Sequence, residues 1–394
     1  MEKRRVRFIR FFHSTAGIDD LLVLLCGMLG AAAFWSTALA ETAGILILAA
    51  AAARIRATLR NGEPLQFCRT RPARIAFAFM SVYVAAVALS VLLAPGTFLR
   101  TPSLLWHPLL FPALMFPEIR RSAVVRAAKI FVAGGAAATA VTLAVNIPGG
   151  ATSEPFTFTG VTTFSDLLVL AGAAGLSLVL PGSPLRLRLW SLAGAALVLP
   201  VVAWSGERAP AVAGACLGTI RAAYAGPRFF AGWLCIAGAC VVFAPRALTE
   251  KMDWMMHGGQ IDRYVVWGEG IRLAPSAPLF GHGPGSFARV LPLEAWGRFM
   301  QRPPASWHND MLETWLDSGP LAAVALGGVL IVGVARALRA LAAAKRDGRR
   351  SIAGEAGLLF VVLALFGAVG SVVTTSVLGL AFWVLLALTL NPPE

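Results

Sequence analysis

The chain has 394 residues, of which 57% are hydrophobic and only 14% charged, and a mean hydropathy of +0.72. A soluble globular domain averages about 45–50% apolar and about 25% charged residues, so that class is excluded; so are a disordered chain and a disulfide-stapled secreted domain, because apolar bulk dominates and only five Cys are spread along the sequence. The 34 Lys and Arg against 20 Asp and Glu leave a net charge of +14, a surplus that fits either nucleic-acid binding or membrane topology, and the positions of the charges decide between them.

Apolar runs able to span about 30 Å of hydrocarbon recur along the chain. In chain order they fall near 20–37, 39–53, 75–95, 103–117, 127–145, 164–181, 188–204, 209–222, 229–244, 320–342, 354–373 and 376–391. The pattern predicts an all-α polytopic membrane bundle of about twelve transmembrane helices, with 103–117 and 209–222 short enough to be tilted, broken or partly buried in protein. The first run is followed by further spans and carries no processing site, so it reads as a span and not as a cleavable signal peptide. Spans one to nine occupy 1–244, a long outward segment occupies 245–319, and 320–394 holds the last three spans and the C-terminus.

The connecting segments alternate in charge. Of the 34 basic residues, 25 fall in alternate segments, including Lys3, Arg4 and Arg5 near the start and Lys345, Arg346 and Arg349 near the end. The other nine are Arg100, Arg208, Arg246, Lys251, Arg263, Arg272, Arg289, Arg298 and Arg302. By the positive-inside rule this split places both termini in the cytoplasm and 245–319 outside. Basic residues scattered over loops do not form a nucleic-acid face, and that reading is dropped. A connection as long as 245–319 is usually functional. It contains no Cys, so an oxidising outer compartment is compatible with the chain but no disulfide holds this segment.

Carboxylates are almost absent from the spans, which argues against a proton-coupled pump. Four outer features could carry chemistry. Arg208 lies in a very short turn, Trp204-Ser205-Gly206-Glu207-Arg208-Ala209-Pro210, where a guanidinium at membrane depth costs roughly 2.5–3.5 kcal/mol and needs a partner or a task. Pairing with Glu207 or with lipid headgroups is the plain alternative. Arg263 and Trp267 stand four apart in a stretch that reads as an amphipathic surface helix, where both serve equally well as ordinary interfacial anchors. Residues 278–287, Pro-Leu-Phe-Gly-His-Gly-Pro-Gly-Ser-Phe, alternate Gly281, Gly283 and Gly285, which permit a tight turn and backbone N–H groups presented to a phosphate, or simply a re-entry turn. His308 sits in Ser306-Trp307-His308-Asn309-Asp310-Met311-Leu312-Glu313, a helix start with Ser306 as expected N-cap. Placed in the first turn of a helix ending at Gly319-Pro320, its imidazole would feel the positive end of the dipole, which favours the neutral form a general base needs, while Asp310 and Glu313 pull the other way and leave the net shift unsigned; a lone loop histidine also serves structure. His257 and His282 are weaker candidates. No His, Cys or Asp cluster has metal-ligand spacing, so no metal and no other cofactor is expected.

Taken in order, these segments resemble the O-antigen ligase/polymerase family of bacterial membrane glycosyltransferases. The likeness rests on an Arg in a short outer turn (Arg208), Arg-x-x-x-Trp (Arg263, Trp267), Pro-Leu-x-Gly-x-Gly-x-Gly-x-Phe from Pro278, and His-Asn with following Leu, Glu and Gly (His308, Asn309, Leu312, Glu313, Gly319). It covers about 200–345. The resemblance implies a fold like that of C-type glycosyltransferases, an inner-membrane location and an active site facing the periplasm. It implies an O-antigen ligase that transfers an undecaprenyl-pyrophosphate-linked glycan to a sugar hydroxyl of lipid A-core. His308 would be the base and Arg208 and Arg263 would bind pyrophosphate. Arg289, Arg302, Asn309, Glu313, Trp267, Gly281, Gly283 and Gly285 would help bind substrate. A repeat-unit polymerase is the alternative within the family, and a lipid-linked-glycan transporter is the alternative outside it.

Overall fold

The computed structural model describes residues 15–64, 67–94, 101–116, 120–146, 157, 161–178, 210, 212–217, 219, 227–242, 261–291, 306–346 and 351–391. Among these residues the chain is helical throughout, with no strand. The helices are α1 (Thr15–Ala33), α2 (Thr37–Arg60), α3 (Arg71–Leu93), α4 (Thr101–Trp106), α5 (Leu110–Leu114), α6 (Arg121–Asn146), α7 (Val161–Leu178) and α8 (Pro227–Val242). They continue with α9 (Ile261–Leu273), α10 (Phe287–Val290), α11 (Asp310–Arg346), α12 (Ile352–Val369) and α13 (Ser376–Leu390).

Five described helices are long and apolar enough to cross a membrane: Ala16–Ala33, Thr37–Arg60, Arg71–Leu93, Ser122–Val145 and Asp310–Ala344. Shorter apolar helices cover Ser103–Leu114, Thr163–Gly175, Ala353–Val369 and Val377–Leu390. The expected run at 188–204 lies outside the described residues. Large apolar side chains point outward, as Leu92 at 79% and Ile331 at 71% exposure illustrate. A helix with such a face is at home in hydrocarbon. The short run 103–117, expected to be tilted, broken or partly buried, is broken: a 3₁₀ turn at His107–Leu109, with Pro108 inside it, separates α4 from α5.

The described residues divide into two compact units. One contains the described parts of 1–22, 44–121 and 260–394, and the other those of 23–43 and 122–259. In the second, Phe34 stacks on Phe131 at 5.7 Å and meets Phe164 edge-on at 5.8 Å. Small residues bring the backbones together there: a Cβ on Gly27 would stand 2.6 Å from the Ala127 backbone, the close approach that packs helices where no water drives them together.

The first unit carries the candidate site. There α11 packs along α3 and α12, α12 along α13, and α9 against α11. Its long helix is broken once. Gly319 has φ 88° and ψ 169°, and Pro320 follows. The predicted stop at Gly319-Pro320 is therefore a kink, with the span resuming at once. Pro320 lacks an N–H, so the carbonyl of Leu316 has no donor four residues on, and the turn at Gly319 removes the next. Those two carbonyls must be satisfied from elsewhere.

Candidate functional site

The donors come from the glycine-rich segment. The His282 N–H donates to Leu316 O and the Gly283 N–H to Asp317 O, both at 2.8 Å. The Asp317 carboxylate completes the clamp. Its Oδ2 accepts from the Gly285 N–H at 2.7 Å, and its Oδ1 accepts from the Ser286 N–H at 3.1 Å and from Ser286 Oγ at 2.6 Å. The Asp317 carbonyl also accepts from Ser90 Oγ on α3 at 2.7 Å. Gly281 (φ 68°) and Gly319 are required by contact as well as by backbone angle. A Cβ on Gly281 would lie 2.4 Å from the Asp317 carbonyl, and one on Gly319 would lie 2.0 Å from Leu279 O.

Of the two roles weighed for the alternating glycines, a phosphate cradle and a plain turn, this arrangement matches the turn. The Gly281 N–H donates to Pro278 O, and those of Gly283 and Gly285 to Asp317. All three amides are engaged inside the protein and are not turned out towards a ligand. Arg289 follows the same segment, its Nη2 donating to His282 O at 3.0 Å from an exposed position.

The second part of the site is the turn before α11. Trp307 is fully buried with Val266, Phe287, Leu291 and Leu316, and its ring meets Phe287 edge-on at 4.8 Å. Its carbonyl accepts from Trp267 Nε1 at 2.9 Å. The Trp of Arg-x-x-x-Trp is thus a strut for the residue before the histidine. His308 then turns through φ 52°, a left-handed conformation uncommon for a residue other than glycine. Asn309, and not Ser306 as expected, caps the helix: its Oδ1 accepts from the Leu312 N–H at 2.9 Å. Ser306 lies three residues before the cap position, and the Asn309 side chain reaches the required N–H. His308 consequently stands just before the cap and outside the first turn.

Arg263, on the first turn of α9, donates from Nη1 to Val369 O at 2.9 Å, and Asn309 Nδ2 donates to Ala368 O at 2.9 Å. Both tie the α9 and α11 ends to the last carbonyls of α12, where the dipole favours a cation. Burial, and after it the Arg263 guanidinium, hold the His308 imidazole below its ordinary value, so the ring is neutral near pH 7. Burial and then Arg289 lower His282 in the same sense.

Three buried acids on α11 complete the frame. Asp310 Oδ1 accepts from the Val372 and Val373 N–H groups at 2.9 and 3.1 Å, Glu313 Oε2 accepts from Ser371 Oγ at 2.7 Å, and Asp317 holds the glycine segment. Asn309 and Glu313, expected to touch substrate, have these atoms committed to the protein itself.

The structure therefore gathers His308, Arg263, Asn309, Glu313 and Trp267 around one turn and sets Gly281, Gly283, Gly285 and Arg289 on the segment behind it. Arg208 and Arg302 lie outside the described residues, as does His257. Sequence reasoning missed Asp310, Asp317, Ser306 as a side-chain ligand of the histidine, and Ser371. One signal was available, since Asp310, Glu313 and Asp317 at i, i+3 and i+7 share a helix face running into an apolar span, where carboxylates need dedicated donors. Among the described residues, no group of three or more His, Cys, Asp or Glu side chains is placed to hold a metal ion. Neither a scan of the chain against protein-family models nor a search of the curated proteins finds a match.

Proposed function

We propose that this chain is a glycosyltransferase of the O-antigen ligase type. It would move a glycan from undecaprenyl pyrophosphate to a sugar hydroxyl of lipid A-core at the periplasmic face of a bacterial inner membrane. The proposal includes the finer topology expected from sequence, about twelve spans with 245–319 outside. The observation that carries it is the pairing of a half-buried imidazole with a guanidinium whose charge acts on it, His308 with Arg263, the guanidinium tied to the Val369 carbonyl and the His308 N–H to Ser306 Oγ.

In the proposed reaction, the acceptor hydroxyl oxygen attacks the anomeric carbon of the donor sugar and passes its proton to His308. The anomeric C–O bond to pyrophosphate breaks with its electron pair, and undecaprenyl pyrophosphate leaves with inversion at carbon. Arg263 answers the charge on the leaving group, with Arg208 as the second guanidinium by resemblance. A fixed guanidinium binds such a group bidentately, and one preorganised donor of this kind contributes about 3–4 kcal/mol to the transition state.

The test is the purified protein in bilayers with undecaprenyl-pyrophosphate-linked glycan and lipid A-core. The proposal expects glycan-bearing lipid A-core and its loss in His308→Gln. Longer lipid-linked glycan instead identifies a repeat-unit polymerase, and movement of the donor across the bilayer with no new glycosidic bond identifies a transporter. Either of those results, or full conjugation by His308→Gln, overturns the ligase reading.

A further inference from the structure

A chain of side chains leads from the histidine ring into the protein interior. Ser371, in the turn between α12 and α13, donates from Oγ to Glu313 Oε2 at 2.7 Å and lies 3.0 Å from Ser306 Oγ. Ser306 Oγ in turn stands 3.5 Å from His308 Nδ1, and it also accepts from the His308 N–H at 3.4 Å. The four groups come from three places in the sequence: the turn at 306–308, the first turn of α11, and the turn at residue 371. Asp310 fixes that last turn through the Val372 and Val373 amides. Both serines stand beside backbone contacts, the His308 N–H on Ser306 Oγ and the Val372 and Val373 amides on Asp310.

The proton count along this chain is determinate. A carboxylate only accepts, and each hydroxyl has one proton. With Glu313 as the terminal acceptor, Ser371 spends its proton there, and its oxygen can only accept from Ser306. Ser306 then has no proton left for the ring, so its oxygen accepts and Nδ1 must carry hydrogen. The lone pair falls on Nε2, the nitrogen away from the chain. We propose that Ser306, Ser371 and Glu313 are positioning residues that hold His308 in the Nδ1–H tautomer and leave Nε2 as the proton-accepting atom. When Nε2 takes a proton from the acceptor hydroxyl, the imidazolium hydrogen bonds through the same chain towards the buried carboxylate. This rests on His308 acting as the base in the function proposed above. Other ionisable groups facing the chain are Arg263 beside the ring, and Asp310 and Tyr83 near Glu313.

Two measurements on the full-length protein test this. The first needs no turnover: ¹⁵N NMR of ring-labelled histidine in lipid nanodiscs, with His308 assigned by difference against His308→Gln. The expected spectrum has the protonated-type nitrogen at Nδ1, and Ser371→Ala gives a mixture of tautomers while Ser371→Thr, which keeps a hydroxyl, restores the single form. A wild-type ring protonated at Nε2, or a spectrum indifferent to Ser371→Ala, overturns the chain. The second is transfer from undecaprenyl-pyrophosphate glycan to lipid A-core. Ser371→Ala is expected to lower kcat about tenfold or more, within the roughly 10²–10⁴ that a positioned base contributes, with KM unchanged and with recovery in Ser371→Thr. An inactive His308→Gln beside a fully active Ser371→Ala keeps the base and removes the chain, whereas an active His308→Gln removes both.

Discussion

Substituting Asp317 by Asn tests whether the glycine-rich segment is held by that carboxylate. The side chain is buried and accepts three hydrogen bonds, from the Gly285 amide at 2.7 Å, the Ser286 amide at 3.1 Å and Ser286 Oγ at 2.6 Å. Asn keeps the size but offers one acceptor oxygen. If that oxygen serves Ser286, the new NH₂ faces the Gly285 N–H and a buried donor loses its partner. Hydrogen bonds to a charged acceptor contribute about 1.5–3 kcal/mol, and an orphaned buried donor costs about 1–3 kcal/mol. A local penalty of about 2–4 kcal/mol follows, since these contributions overlap and do not add in full. Amide hydrogen exchange reads it directly. If the segment opens locally, the Gly285 and Ser286 amides should exchange roughly 30 to 1000 times faster, at about 1.4 kcal/mol per factor of ten. The His282 amide bonds to the Leu316 carbonyl and keeps its acceptor, so its protection should fall less. Unchanged protection at Gly285 and Ser286 in Asp317→Asn would refute the clamp.

Three further outcomes are expected. Arg263→Ala removes a charge that lowers His308, so the His308 midpoint in an NMR pH titration should rise towards, but stay below, about 6.5, since burial is the larger cause and remains. The sign for stability follows: with a depressed folded value, stability present above about 6.5 is lost as pH falls towards the folded midpoint, and the variant narrows that window. His308→Asn should leave thermal stability unchanged or slightly raised, because Asn tolerates the left-handed backbone at φ 52°, while transfer disappears. Gly319→Ala should sharply reduce the yield of monodisperse protein, because its Cβ would meet Leu279 O at 2.0 Å in a backbone region that costs a non-glycine residue about 1–3 kcal/mol; Gly232→Ala, with nothing within 4 Å of the added Cβ, should leave yield intact.

Much of the helical frame was legible because hydrophobic length is a direct signal. The runs near 20–37, 39–53, 75–95, 127–145 and 320–342 correspond to the five described helices long enough to span. The surface stretch carrying Arg263 and Trp267 is the helix α9, and Pro320 marked the break in α11. The wiring of the site was not legible. That His282 and Gly283 each donate to a carbonyl 34 residues away depends on the break at Gly319-Pro320 having freed both carbonyls, a relation no local pattern contains. The cap was misread by three residues because Ser306 and Asn309 are both good cap residues, and only the path of the turn at His308 decides between them. Ser371 fell inside the run read as a span near 354–373, with nothing in its neighbourhood to single it out, whereas α12 ends at Val369 and leaves it in a turn.

The placement of the three α11 carboxylates explains why a membrane helix would carry them at all. A buried carboxylate is costly unless donors surround it, and these three are answered by two segments: Asp310 and Glu313 by the turn at 371–373, through the Val372 and Val373 amides and Ser371 Oγ, and Asp317 by Gly285 and Ser286. Segments without internal secondary structure have few hydrogen bonds of their own, so their geometry must be set from a rigid neighbour. One face of one helix does this for all of them, and Trp307 and Asn309 extend the same frame to the turn that bears His308. The acids are thus worth more as fixed points than as charges. Replacing any one should disturb the segment it holds before it disturbs the bundle, and the order of that loss, local exchange before global melting, is what distinguishes a frame for a site from a core that happens to be polar.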